Sequence, residues 1–108
     1  MTAAPLPPPL DRFVLAVNAG DTPGFLACFA PDARVDDWGR SFAGHAAIKG
    51  WSDRELIGAR GVLTVRGVSA TGDAVTIRGH WASSVFTGDS NFAFVMSDGL
   101  IREMRITG

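Results

Sequence analysis

Polar and apolar positions split the chain into two stretches with different periods. Leu10, Phe13, Val14 and Val17 fall at i, i+3, i+4 and i+7, the apolar stripe of a helix that Gly20 stops. Thr22-Pro23 follows as an N-cap and a proline at the first helical position; Phe25, Leu26 and Phe29 give this second, short helix its apolar side, and Pro31 ends it. The period then falls to two: Ala33, Val35 and Asp37 share one face of a short strand, and Arg34 and Asp36 the other. Gly39 to Gly44 reads as a connecting loop with room for a brief strand. A third helix over about His45 to Glu55 puts Ile48, Trp51 and Glu55 on one side. Strands follow. Val62 to Val68 and Ala74 to Ser83 are joined at Ala70-Thr-Gly-Asp73, and Asn91 to Met96 and Leu100 to Thr107 at Asp98-Gly99, a strong hairpin signal. Ser84 to Ser90 reads as a looser connection between them.

Alternation also assigns faces. Val75, Ile77, Gly79 and Trp81 are the apolar set of their strand, and Thr76, Arg78 and His80 the polar set; Phe92, Phe94 and Met96 are the bulky set of the next. Apolar sets turn toward covering helices, so Trp81 is expected inside and His80 outside. Helices followed by long strands imply an α+β fold with the helices gathered on one face of a largely antiparallel sheet. Met1 to Pro9, with its prolines at 5, 7, 8 and 9, reads as an extended lead-in, and residues 10–108 as a single domain.

Composition narrows the function classes. Lys and Arg total 10 against 11 Asp and Glu, and the arginines alternate with acids and apolar residues, so no basic patch favours nucleic acid. No apolar run reaches membrane-spanning length and no signal-peptide architecture opens the chain, so a cytoplasmic protein without membrane association is expected. The lone Cys28, between Ala27 and Phe29, reads as a small buried hydrophobe. The two histidines have no close acidic spacing, so neither a metal nor another cofactor is expected.

Three polar residues are candidates for chemistry. Asp37 ends a strand beside apolar residues, where a carboxylate can take a proton from carbon next to a carbonyl and return it elsewhere; its other open role is to accept N–H bonds in the Gly-rich turn that follows. His80 would activate water as a base if its strand faced the other way. His45, at a helix start, is a capping or surface residue unless its ring turns toward Asp37. Phe13, Val17, Phe29, Trp38, Trp51, Trp81, Phe92 and Phe94 are the candidates to wall an apolar pocket continuous with the core.

Arg12-Phe-Val-Leu-Ala-Val-Asn-Ala-Gly-Asp21, Phe29-Ala-Pro-Asp-Ala-Arg-Val-Asp-Asp37, Phe42-Ala-Gly-His-Ala-Ala-Ile48 to Trp51, and Phe92-Ala-Phe-Val-Met96 with Asp98-Gly-Leu-Ile101 together resemble the nuclear-transport-factor-2-like superfamily, in its SnoaL-like and ketosteroid-isomerase-like branch. The resemblance runs from about Leu10 to Thr107. It implies a cone, in which a strongly curved sheet wraps three helices around a pocket, and a homodimer through the outer sheet face. In ketosteroid isomerases the last acid of the Val35-Asp36-Asp37 string is the proton-shuttling base. The oxyanion donors of those enzymes, a first-helix Tyr and a late-strand Asp, correspond here to Phe13 and Phe92, which cannot donate; the chain has no Tyr. Limonene epoxide hydrolase-like relatives carry Arg-x-Asp where Arg78-Gly-His80 stands. The implied function is binding of a small, largely apolar organic ligand in the cone, with Asp37 available for isomerase, hydrolase or lyase chemistry. The alternative is a non-catalytic ligand-binding or dimeric assembly module.

Overall fold

The computed structural model describes residues 6–108. Helix α1 (Leu10–Ala19) buries Leu10, Phe13, Ala16 and Val17, the stripe its spacing predicts. Gly20 ends it at φ 70°, and the N–H groups of Gly20 and Asp21 donate back to Val17 and Ala16. Met1–Pro5 of the expected lead-in lie outside the described residues. Pro8 and Pro9 form a turn rather than an extended segment, and the Leu10 N–H donates to the Pro7 carbonyl.

Helix α2 (Thr22–Ala27) is shorter than its apolar spacing suggests. Asp21, not Thr22, caps it: its Oδ1 accepts from the Gly24 N–H at 3.0 Å. Phe29 opens strand β1 (Phe29–Asp37) instead of closing the helix. Its ring still meets Phe25, centroids 5.0 Å apart, because the helix end and the strand start converge on one core. Pro31 falls where the β1 pairing shifts register, the position at which a strand tolerates a missing N–H.

Strand β2 (Arg40–Ala43) returns antiparallel to β1, and α3 (His45–Glu55) follows. The remaining strands are β3 (Val62–Thr71), β4 (Ala74–Ala82), β5 (Thr87–Ser97) and β6 (Leu100–Thr107). They form one six-stranded sheet in the order β2-β1-β6-β5-β4-β3. All pairs are antiparallel except β1 with β6, so the sheet is mixed and the class is α+β. Register shifts at Val65/Gly67 and Val95/Met96 mark bulges, which bend strands.

The inner sheet face carries the sets that alternation assigned to it: Val35, Val75, Ile77, Phe92 and Phe94 are all buried. α1 is fixed to edge strand β3 by one amide. Asn18 Nδ2 donates to the Leu63 carbonyl (3.0 Å), and Asn18 Oδ1 accepts from the Leu63 N–H (2.7 Å). Among the described residues no helix is long and apolar enough to cross a membrane.

Candidate functional site

Val35 is buried and Asp37, two residues on, points the same way, so strand parity delivers a carboxylate to the inner face at the end of β1. The chain then reverses through Trp38 and Gly39, at φ 53° and 88°, and pairs Arg40 back against Asp37. Asp36 takes the turn role that was open to Asp37: its Oδ1 accepts from the Gly39 N–H at 2.9 Å. Asp37 is left free of backbone duty and bonds to side chains. Its Oδ2 accepts from Trp51 Nε1 at 3.1 Å and from the Arg40 guanidinium at 2.6 Å.

Arg40 links two acids. Besides Asp37, it donates to both oxygens of Glu55, at 2.8 and 2.6 Å, a forked pair. Trp51 and Glu55 are four residues apart on α3, so a single helix face presents both partners of the β1–β2 hairpin. The hydrogen bonds from Arg40 hold the Glu55 carboxyl below its ordinary range, and the same contacts push the guanidinium still higher. The Asp37 side chain is 13% exposed and that of Arg40 52%, so the acid is inside and the base at the rim.

These groups floor a cleft of about 280 Å³. Its walls are Trp38, Trp51, Trp81 and Phe92, with Val85 and Phe86 at the lip and Ser90 the one hydroxyl. The lip loop is built by Ser83, whose Oγ accepts from the Val85 and Phe86 N–H groups, and by Ser84, whose Oγ donates to the Ala59 carbonyl. Trp81 lies across Gly61 so closely that a Cβ there would sit 1.8 Å from the indole.

Four of the expected pocket residues therefore meet in the cleft: Trp38, Trp51, Trp81 and Phe92. The other four do not. Phe13, Val17, Phe29 and Phe94 are buried in the core beneath α1 and α2, and none of them lines the cleft. His80 lies on the outer sheet face, opposite Trp81, with Nδ1 3.1 Å from Asp89 Oδ1, so as a pocket base it is corrected by the strand parity that put Trp81 inside. His45 does not face Asp37; its Nε2 lies 3.0 Å from the Phe29 carbonyl oxygen. Cys28 is buried, with its thiol against the Gly24 carbonyl and its pKa raised by burial, the state of an inert thiol. No group of three or more metal-ligating side chains comes together among the described residues.

Sequence reading missed Arg40, Glu55 and Ser90 as site residues. Glu55 had a signal, its i+4 spacing from Trp51. Ser90 continues the inward parity of Phe92 and Phe94 but was assigned to a loop. Arg40 had none, because a bridge across separate elements leaves no local pattern.

A family model for the SnoaL-like domain matches residues 10–104. The chain belongs to the SnoaL-like domain family. No curated protein matches this SnoaL-like chain. Among solved structures, a candidate polyketide cyclase from Sinorhizobium meliloti is 26% identical, with a TM-score of 0.87 and coverage of 94% of this chain and 95% of that one. A computationally designed 17-OHP binder matches at 19% identity, with a TM-score of 0.80 and coverage of 92% and 86%. A protein of ketosteroid isomerase-like fold from Catenulispora acidiphila, in complex with trimethylamine, matches at 17% identity, with a TM-score of 0.76 and coverage of 92% and 83%. The last two likenesses, at 19% and 17% identity, show the fold alone and carry no function across.

Proposed function

We propose that the cleft binds a small, largely apolar organic molecule and that Asp37 is the group that acts on it. The observation that carries this reading is one carboxylate with two unequal oxygens. Oδ2 is held by an indole N–H and a guanidinium, which fixes the plane of the group; Oδ1 makes no hydrogen bond within the described residues. A carboxylate positioned this way, in an aromatic-walled cleft, suits proton transfer at carbon beside a carbonyl. The cleft falls just below the usual range for ligand sites, about 300–1,000 Å³, which favours a compact molecule. Neighbours of this fold that hold 17-OHP or trimethylamine support small-molecule binding as the use of the cleft.

Phe92 walls the cleft and Phe13 lies outside it, so neither offers a hydrogen bond to a developing oxyanion. The donors among the lining residues are Ser90, Arg40 and the indole N–H groups of Trp38, Trp51 and Trp81. Arg40 would have to release its carboxylates and Trp51 its bond to Asp37 to serve, which leaves the Ser90 hydroxyl and the indole N–H groups of Trp38 and Trp81 as the groups for a substrate oxygen.

A second reading, a binding module without chemistry, is favoured by the same ion pairs: Arg40 occupies both acids of the cleft. A thermal-shift ligand screen on wild type and Asp37→Asn, followed by exchange of the carbon-bound proton in any carbonyl hit, separates the two. Exchange that is lost in the variant supports acid/base chemistry. Exchange that is equal in both proteins, or absent in wild type despite binding, leaves the module. We also propose pairing of two copies through the outer sheet face, where Ala93 lies between Thr76 and Arg105 and Val95 between Ala74 and Glu103; a monomer by light scattering at micromolar concentration would remove it.

A further inference from the structure

The charges that face the cleft do not balance. Its charged lining is Asp37, Glu55 and Arg40, two carboxylates against one guanidinium, which leaves one negative charge in excess. Everything else around the space is apolar or aromatic except Ser90. A neutral apolar ligand would leave that excess facing low-dielectric surroundings. An anionic ligand would have to take the guanidinium from two carboxylates that already accept three hydrogen bonds from it. A cation also displaces the guanidinium, but it brings positive charge to the same carboxylates, so it offsets the excess and replaces what they lose when Arg40 turns away.

The molecule already shows how a cation is held there. The Arg40 guanidinium lies 5.8 Å from the centre of the Phe42 ring, and Phe42 stacks on Trp51 at 5.9 Å. The guanidinium is thus met by the two cleft carboxylates and, outside the cleft lining, by an aromatic face. Arg40 is also half exposed, so its head can swing into water when something else takes its place.

We propose that the ligand is a small organic cation, a substituted ammonium whose apolar groups lie against Trp38, Trp81 and Phe86 and whose charge is met by Asp37 and Glu55 as Arg40 withdraws. This rests on the reading of the cleft as a ligand site. An alkylated ammonium has little or no hydrogen-bonding demand of its own, so a wall with one hydroxyl and several rings suits it. Arg40 then acts as an internal competitor that fills the carboxylate pair when the cleft is empty.

Choline, its uncharged carbon isostere 3,3-dimethylbutan-1-ol, and the anion 3,3-dimethylbutanoate make a size-matched test. Affinity is read by titration calorimetry, and location by the indole N–H signals of the three tryptophans. Choline is expected to bind about tenfold more tightly than the alcohol, with the anion weakest. Glu55→Gln and Asp37→Asn should each weaken choline several-fold relative to the alcohol, whereas Arg40→Gln, which removes the competitor, should tighten choline. An alcohol that binds as well as choline, or an Arg40→Gln protein that binds choline less well, ends the cation proposal and leaves the cleft a ligand site. Failure of all three probes to move any indole signal overturns the cleft reading and the proposal with it.

Discussion

The inner face of one sheet is finished in two ways. Beneath α1 and α2 it is closed by phenylalanine: Phe13 meets Phe25, Phe29 and Phe94 at centroid distances of 5.8, 6.2 and 5.2 Å, tilted or edge-on. Beside α3 it is left open, and the large rings there are mostly tryptophans. The difference follows from the side chains. Phenylalanine has no polar atom and can fill space from any side, whereas a buried tryptophan usually brings a partner for its N–H. Trp51, almost wholly buried, brings Asp37, and Asp37 brings Arg40 and Glu55. A ring that needs a partner thus carries a polar network into the apolar interior, and that network floors the cleft.

If the contrast is right, the two ends respond differently to substitution. The largest effect is expected at the closed end, where Phe29→Ala or Phe13→Ala should cost about 3–5 kcal/mol in urea unfolding. Loss of less than about 1 kcal/mol would mean that this end is not close-packed. Next, Gly61→Ala pushes a methyl into the Trp81 ring. About 1–3 kcal/mol should be lost, and the Trp81 indole N–H signal should shift as one cleft wall moves; an unmoved signal would show that the wall yields elsewhere.

Trp38→Asn should reverse the sign. Trp38 is 62% exposed and holds φ 53°, a left-handed conformation that Asn tolerates far better. Stability should hold or rise by up to about 1 kcal/mol, while affinity for any cleft ligand falls. A clear loss of stability would make Trp38 part of the core and blur the distinction between the two ends.

The smallest effect is electrostatic. The folded-state pKa of Glu55 is lowered by Arg40, so its contribution is present above the unfolded-state value and lost as pH falls through the folded one. Both partners are partly exposed, so no more than about 1 kcal/mol is at stake. The drop in stability from neutral pH into the acid carboxylate range should be shallower in Glu55→Gln than in wild type, by urea midpoints. Identical slopes would show that the forked pair is energetically silent.

Faces were more legible in the sequence than boundaries. Val75, Ile77 and Trp81, and Phe92 with Phe94, could be turned inward from alternation alone, because a one-residue slip would expose every one of them. The third helix and the Asp98-Gly99 turn were equally plain; Asp98 and Gly99 both adopt positive φ, as a two-residue hairpin turn requires. Phe29 was misread because i+4 spacing from Phe25 fits a helix as well as a chain that leaves the helix and returns to the same core. The start of β5 was missed because Thr87 to Ser90 show no apolar alternation; main-chain pairing with Ala82 to Gly79 holds them in the sheet. In the site, parity found Asp37. Aromatic residues could not be sorted into core and cleft by type and period alone, since Phe92 and Phe94 share a face and only Phe92 reaches the open end.

The parallel pairing of β1 with β6 sets when the cleft can exist. Asp37 lies in register with Ile106, and the Trp38 N–H donates to the Ile106 carbonyl, so the seat of the acid is completed by residues from the far end of the domain. Non-local closure of this kind is slow, because chain entropy is lost before the contacts that repay it can form. On the ribosome, α1, α2, the β1–β2 hairpin and α3 all emerge before the strand that must lie beside β1. Until β6 arrives, Asp37 and Trp38 sit on a sheet edge open to any other strand. The same polypeptide that forms a ligand cleft when finished therefore passes through a stage in which that region is a template for mispairing.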